Sequence, residues 1–346
     1  MQPINVAISS YGMSGVVFHG PLLEAHPGFR IKTILERNRD DSSGKHAGAK
    51  IVRSYDEILK DPEIELVVVN TPDHLHYEMA QSALKARKHI VVEKPVTLRA
   101  EHARELDALA GNQGVVFSVF HNRRWDGDFL TVKEIIDTGK IGRLVEFESH
   151  FDRYRKEIKE SWKDQSNGTG TLYNLGSHLV DQALQLFGFP EKLFCDVRLL
   201  RDGAKTDDSF DLFLLYDRFK CLLRSSYLVR EPGPRFTLHG TEGSFRVWGT
   251  DPQEEALKAG KLPGGPGWGS DTSASWAQIN SVFQQRHLEG PYRVLAGNYL
   301  SFYDNLSEAI RRGGSLEVTG KQAEQVIRII EAAYQSGQER RVVTLE

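Results

Sequence analysis

Through roughly the first 120 residues, short apolar runs alternate with helix-like stretches. Ile4–Ser9 is a β-branched run that ends in a glycine-containing turn. Ile31–Leu35, Leu66–Asn70, His89–Val92 and Val115–Phe120 repeat the theme. Between them, Gly15–Ala25, Tyr55–Lys60, His76–Ala86 and Ala100–Ala110 carry helical spacing. Strands that alternate with helices predict βαβ units, right-handed crossovers and a parallel sheet. Leu66-Val67-Val68-Val69 is apolar at every position, which predicts a sheet covered on both faces.

The pattern then changes. Leu144–Tyr154, Leu193–Leu200, Phe210–Tyr216, Phe219–Val229 and Arg235–Val247 read as longer strands. Phe210, Leu212, Leu214 and Tyr216 occupy alternate positions, as do Phe219, Cys221, Leu223, Ser225 and Tyr227. The short Asp217-Arg218 turn between these runs predicts antiparallel pairing. Gly170–Phe187, Asn298–Arg311 and Gln322–Ser336 predict covering helices, Arg341–Leu345 a final strand, and Gly260–Ser275 a loop. The expected architecture is α/β plus α+β: an N-terminal Rossmann doubly wound parallel sheet and a C-terminal open, mostly antiparallel sheet covered by helices. The change falls near His121–Asp126. It predicts two domains, over 1–122 and 123–346.

Composition narrows the class. A chain of 346 residues suits two domains of about 150 each. Hydrophobic and charged fractions of 40% and 26% exclude a largely disordered chain. With 44 basic and 47 acidic residues, the net charge of −3 argues against nucleic-acid or anionic-membrane partners. No apolar run approaches the roughly 18 residues of a membrane span. Met1-Gln2-Pro3-Ile4-Asn5 lacks the basic and apolar regions of a signal peptide, so the expectation is a cytoplasmic protein. Cys195 and Cys221 make no disulfide framework, and no Cys/His cluster has zinc spacing, so no metal is expected.

Ser10-Tyr11-Gly12-Met13-Ser14-Gly15 follows the first strand and opens the first helix. The dinucleotide fingerprint has glycine at the first, third and sixth of these positions; here serine holds the first. Gly12 lets the backbone approach a pyrophosphate, Gly15 lets helix and strand pack closely, and the helix N-terminus faces the negative charge. Alone, the glycine pair reads equally well as a tight turn. Glu36, 21 residues beyond Gly15, stands where an acid grips the adenosine ribose. Its charge tilts the reading slightly towards NAD(H). Arg37 and Arg39 beside it are suited to a 2′-phosphate, so the choice of NAD or NADP stays open.

Val91-Val92-Glu93-Lys94-Pro95 closes the fourth strand. With the glycine turn, it resembles the Gfo/Idh/MocA oxidoreductase family. Asn70-Thr71-Pro72 with His76 resembles a cofactor-side loop of that family, and Gly170–Asp181 resembles its catalytic helix. Phe18–Leu22, Phe120–Asp126, Asp251–Lys258 and Trp268-Gly269 bring the chain closest to the NADP-dependent scyllo-inositol dehydrogenase subgroup. The resemblance implies a nicotinamide enzyme of polyols or sugars that forms oligomers through its C-terminal sheet. It implies a cis Lys94–Pro95 peptide, a catalytic Lys94, Glu93 near the nicotinamide ribose and His178 as the acid/base. Asn174 stands where most members carry Asp. Near Tyr154, Lys156 and Ser161 replace an expected Pro and Arg.

Elementary chemistry points the same way. Oxidising a secondary alcohol needs a hydride acceptor and a base for the hydroxyl proton, and histidine suits the second task. Asn174, His178 and Asp181 are spaced to share one side of a helix. Lys94, at a strand's C-terminal end, is placed to hold the substrate oxygen and stabilise developing negative charge. Arg123, Arg124 and Trp125 read equally as pocket lining or as a clamp at the domain boundary. Tyr154, Tyr299 and Tyr303 read as sugar contacts or as core. The alternative to a dehydrogenase is a nucleotide-binding redox sensor without turnover, suggested by Ser10 and Asn174.

Overall fold

The computed structural model describes residues 2–158, 169–270 and 277–345. They divide into two compact units. The first comprises Met1–Asp126, Pro252–Gly269 and Gly297–Ile327; the second comprises Gly127–Asp251, Ser270–Ala296 and Arg328–Glu346. A cut after residue 122 assigns 252–269 and 297–327 to the other side. The fold returns both to the first unit through specific bonds. The Gln253 amide donates to the Trp125 carbonyl at 3.2 Å, and the Tyr299 hydroxyl donates to Asp126 at 2.7 Å.

The first unit is built on β1 (Ile4–Ile8), β2 (Phe29–Leu35), β3 (Lys50–Val52), β4 (Leu66–Val69), β5 (His89–Val92) and β6 (Phe117–Val119). These strands form a parallel sheet in the order β3-β2-β1-β4-β5-β6. The order reverses between β1 and β4, the switch point at which doubly wound sheets take ligands. All of β4 is inaccessible to solvent, as its unbroken apolar run predicts. The Tyr55–Lys60 helix starts on a capping box, Ser54 with Glu57, and the Ala100–Gln113 helix ends at Gly114 with φ 66°. β3, only three residues long, carries no strand pattern of its own.

The second unit holds β7 (Leu144–His150), β8 (Lys192–Arg198), β9 (Ser209–Leu215), β10 (Lys220–Ser226), β11 (Phe236–Gly240), β12 (Gly243–Val247), β13 (Ala277–Phe283), β14 (Arg286–Tyr292) and β15 (Val343–Thr344). They form one sheet in the order β14-β13-β12-β11-β7-β10-β9-β8-β15. Every pair is antiparallel except β7 with β10. The run over Arg235–Val247, expected as one strand, is the hairpin β11–β12. Gly240 and Gly243 bracket its turn, where a Cβ would lie 2.1 Å from the Ile141 carbonyl or 2.4 Å from that of Asn280. The β13–β14 hairpin escapes sequence reading because Gln284 and Gln285, not Asn-Gly, occupy its left-handed turn at φ 49° and 62°.

Helices Gly127–Asp137 and Ser177–Phe187 cover one face of this sheet. Phe129 meets Phe236 at 6.5 Å and Phe187 meets Phe147 at 5.1 Å between ring centroids. Phe194, Phe213 and Leu215 are half-buried, alternating with the buried Leu193, Cys195, Leu212 and Leu214. Among the described residues, no helix is long and apolar enough to cross a membrane.

Candidate active site

The glycine turn lies at the switch point of the first unit. A Cβ on Gly15 would sit 2.5 Å from the Ser10 carbonyl oxygen, so close helix–strand packing requires glycine there. Asn70, just beyond β4, donates its amide to that carbonyl at 2.7 Å and to the Ser14 hydroxyl at 3.2 Å. The first helix opens with a widened π turn over Gly15–His19. Met13 is exposed at its start, whereas Tyr11 turns inward, its hydroxyl 2.8 Å from His46 Nε2. Backbone amides at a helix start, a glycine with no room for a side chain and a switch-point position fit a dinucleotide pyrophosphate.

Glu36 follows β2 as expected, but its carboxylate is engaged within its own loop. It accepts the Asp41 N–H at 2.8 Å, the Ser42 N–H at 2.9 Å and the Ser42 hydroxyl. Arg53 adds a bond to the Glu36 carbonyl at 2.7 Å and one to the Asp40 carboxylate at 2.6 Å. Glu36 is buried, while Arg37 and Arg39 are exposed. The charge that tilts a sequence reading towards NAD(H) is thus committed to folding the 36–42 loop.

The loop after β5 carries Glu93, Lys94 and a cis Lys94–Pro95 peptide. The Glu93 carboxylate lies 3.2 Å from His19 Nε2 and accepts the Lys94 backbone N–H at 3.1 Å. Burial works to raise its pKa; the His19 contact and the Lys94 and His76 charges outweigh that and hold the carboxyl below its ordinary range. The Lys94 side chain is half-buried. His76 is enclosed, its ring nitrogens each 2.8 Å from the carbonyls of Thr71 and Pro95, and burial lowers its pKa. It ties the Asn70–Pro72 turn to the Lys94 loop; sequence reading expects it beside the cofactor.

Arg123 and Trp125, expected in the substrate pocket, pack inward. Arg123 pairs with Asp126 at 3.1 Å and Glu254 at 2.6 Å, and Trp125 lies edge-on to Phe302. Arg124 donates to the Glu317 carbonyl at 2.5 Å. Tyr299 and Tyr303 are fully buried, bonded to Asp126 and His19. Tyr299 and Tyr303 thus pack as core, and Arg123 and Trp125 contact protein groups of the first unit.

In the second unit, Asn174 sits in the π turn Leu172–Gly176, which runs into the Ser177–Phe187 helix carrying His178 and Asp181. The Asn174 amide donates to the Tyr227 hydroxyl at 3.4 Å, and His178 stacks on Phe151 at 6.4 Å. Asp181 is buried. Tyr154 is exposed beneath Arg230, 4.3 Å from its ring, and Lys156 is exposed as well. Ser161 lies outside the described residues.

Sequence reasoning misses Asp207. Its carboxylate accepts the Leu172 N–H at 2.8 Å and the Tyr334 hydroxyl at 2.5 Å, and its carbonyl accepts the Thr171 N–H at 2.9 Å. Burial raises its pKa. Only a partner 35 residues away in sequence reveals the role, and no local spacing marks it. Asp207→Ala is expected to lower stability by about 1–3 kcal/mol by stranding these donors, read from the urea midpoint. An unchanged midpoint would remove the anchoring role.

A nucleotide turn at a Rossmann switch point, a lysine after the fifth parallel strand and a histidine helix on a mostly antiparallel sheet fit a dinucleotide-dependent oxidoreductase. Two family models match the chain: "Oxidoreductase family, NAD-binding Rossmann fold" over residues 4–121, and "Oxidoreductase family, C-terminal alpha/beta domain" over 133–345. The chain belongs to this Gfo/Idh/MocA family. It is similar to scyllo-inositol 2-dehydrogenase (NADP(+)) IolW of Bacillus subtilis, with 40% identity covering 100% of this chain and 97% of the relative. The uncharacterized oxidoreductase YdgJ of Escherichia coli is 37% identical over 99% of both chains. The solved structure of yvaA from Bacillus subtilis superimposes with a TM-score of 0.95 at 40% identity, covering 99% of each chain. An oxidoreductase from Bacillus cereus gives 0.90 at 33% identity, again covering 99% of each.

Proposed function

We propose that this oxidoreductase oxidises a secondary hydroxyl of a cyclic polyol, with an inositol the first candidate, and prefers NADP(H). The full-length similarity to a scyllo-inositol 2-dehydrogenase supports the substrate class. Bound nicotinamide dinucleotide supplies the hydride acceptor, or the donor in the reverse direction. In the second unit, His178 is the base for a substrate hydroxyl proton. In the first unit, Lys94 is the cation for substrate oxygen that carries negative charge. Asn174 orients His178 or the polyol; Asp181 and Tyr154 offer hydrogen-bonding groups to the remaining hydroxyls. The half-buried Phe194, Phe213 and Leu215 on the open sheet face suit a second copy of the chain in a homo-oligomer.

The observation that carries the reading is the nucleotide half-site. Ser10, Gly12, Gly15 and Asn70 form one hydrogen-bonded turn, with the Lys94 loop tied to it through His76 and Thr71. The test is reduced-nicotinamide absorbance with NADP+ or NAD+ over a panel of inositols and sugars. Turnover of an inositol supports the proposal. Cofactor binding without turnover across the panel favours the redox-sensor alternative.

Cofactor preference has its own test. With the Glu36 carboxylate engaged by Asp41 and Ser42, the exposed Arg37 is available to a 2′-phosphate. NADPH is expected to bind more tightly than NADH. Arg37→Ala is expected to weaken NADPH by about tenfold, the scale of one charge-assisted contact, and to leave NADH unchanged. Fluorescence titration measures both. Equal losses for the two cofactors would take Arg37 out of the 2′ site.

A further inference from the structure

We propose that His19, backed by Tyr303, is a positioning residue for the nicotinamide half-site: it fixes the Glu93 carboxylate and, through it, the loop that carries Lys94. The inference rests on the reading that Glu93 meets the nicotinamide ribose.

His19 is fully buried in the π turn that opens the first helix. Its Nδ1 lies 2.7 Å from the Tyr303 hydroxyl and its Nε2 lies 3.2 Å from Glu93 Oε1. Phe120 packs over the ring at 4.4 Å, and Phe29 and Phe302 meet the edges and faces of Tyr303. Neither ring can swing away without opening this aromatic cluster. The other Glu93 oxygen accepts the Lys94 N–H. One chain of bonds thus joins the 300–312 helix, the helix of the glycine turn and the Lys94 loop.

The proton positions follow from chemistry. An ionised Glu93 only accepts, so the proton between it and His19 belongs to Nε2. The Tyr303 hydroxyl, buried and held protonated, faces Nδ1 and has a proton to donate to it. We assign the ring the tautomer that this donation requires, with the proton on Nε2 and Nδ1 accepting. The half-buried Glu93, deprived of that donor, would lose both its orientation and part of the support for its charge.

The experiment measures the dissociation constant of NADPH by nicotinamide fluorescence for the full-length protein and for Glu93→Gln, His19→Leu, His19→Gln and Tyr303→Phe. The imidazole nitrogen resonances of the 15N-histidine-labelled free protein are recorded alongside, with His19 assigned by its loss in His19→Gln. Glu93→Gln and His19→Leu are each expected to raise the constant by about tenfold, the scale of a lost charge-assisted bond. His19→Gln retains an N–H for Glu93 and is expected to stay within about threefold of the original. The free protein should show His19 protonated at Nε2 alone, and Tyr303→Phe should disturb that signal. A role confined to packing would not be rescued by Gln, which lacks the ring but keeps an N–H. If Glu93→Gln weakens binding while His19→Leu does not, the His19 proposal fails and the Glu93 reading stands. If Glu93→Gln binds normally, the Glu93 reading fails and the proposal falls with it. If His19→Leu does not fold, Tyr303→Phe decides: an undisturbed nitrogen signal with unchanged affinity overturns the proposal.

Discussion

Replacing Lys94 with alanine is expected to lower turnover by at least about two orders of magnitude, the scale of losing a positioned charge in an active site. Cofactor affinity should fall far less. The Lys94 side chain is half-buried on a loop held independently of it: the backbone N–H goes to Glu93, and the neighbouring Pro95 carbonyl meets His76. The substitution therefore removes the cation while the loop keeps its supports. The measurement is kcat on a working polyol together with the NADPH dissociation constant. Turnover like that of the unmodified enzyme would discard the role. A parallel loss of cofactor affinity would move Lys94 from the chemical step to binding.

The second large effect concerns Asn174 and His178. His178→Ala is expected to abolish the acidic limb of the kcat/KM profile, because activity rises with pH only as the base loses its proton. Asn174→Asp is expected to shift that limb upward. A carboxylate favours the imidazolium, so a higher pH is needed to free the base. The amide of Asn174 holds a partner without offsetting charge, and it donates to the Tyr227 hydroxyl. An aspartate there would reverse that bond, making Tyr227 the donor. The profiles of the unmodified enzyme, Asn174→Asp and His178→Ala on one substrate decide the matter. A limb that persists in His178→Ala and stays put in Asn174→Asp belongs to another group. Asn174 would then only orient substrate hydroxyls.

The site was legible unevenly. The glycine turn, Glu93, Lys94 and the His178 helix stand out because each sits at a fixed offset from a strand end or on one helix side. Glu36 shows the limit of such offsets. Its position after β2 is as the spacing predicts, yet the Asp41 and Ser42 donors that occupy it become visible only once the loop folds back. Arg123 and Trp125 share the difficulty. Polar and aromatic residues at a domain boundary look alike whether they face a ligand or Glu254 and Phe302.

Periodicity along the chain marked most strands of both sheets, with β3, β13 and β14 the exceptions. Continuous apolar runs specify the buried parallel strands β1, β4 and β5, and alternation specifies β9 and β10, because side-chain direction is a local property of the backbone. Family motifs carried by contiguous residues were fixed at the same level. Tertiary structure alone decided what depends on distant partners. It turned Arg235–Val247 into a hairpin because β13 and the Ile141 carbonyl crowd its two glycines. It returned residues 252–269 and 297–327 to the first unit through Gln253 and Tyr299, and it put Tyr303 behind His19 across 284 positions of sequence. The physical reason is common to all of these. Hydrogen-bond satisfaction of a buried polar group is set by whichever chain segment reaches it, and local spacing carries no record of that segment.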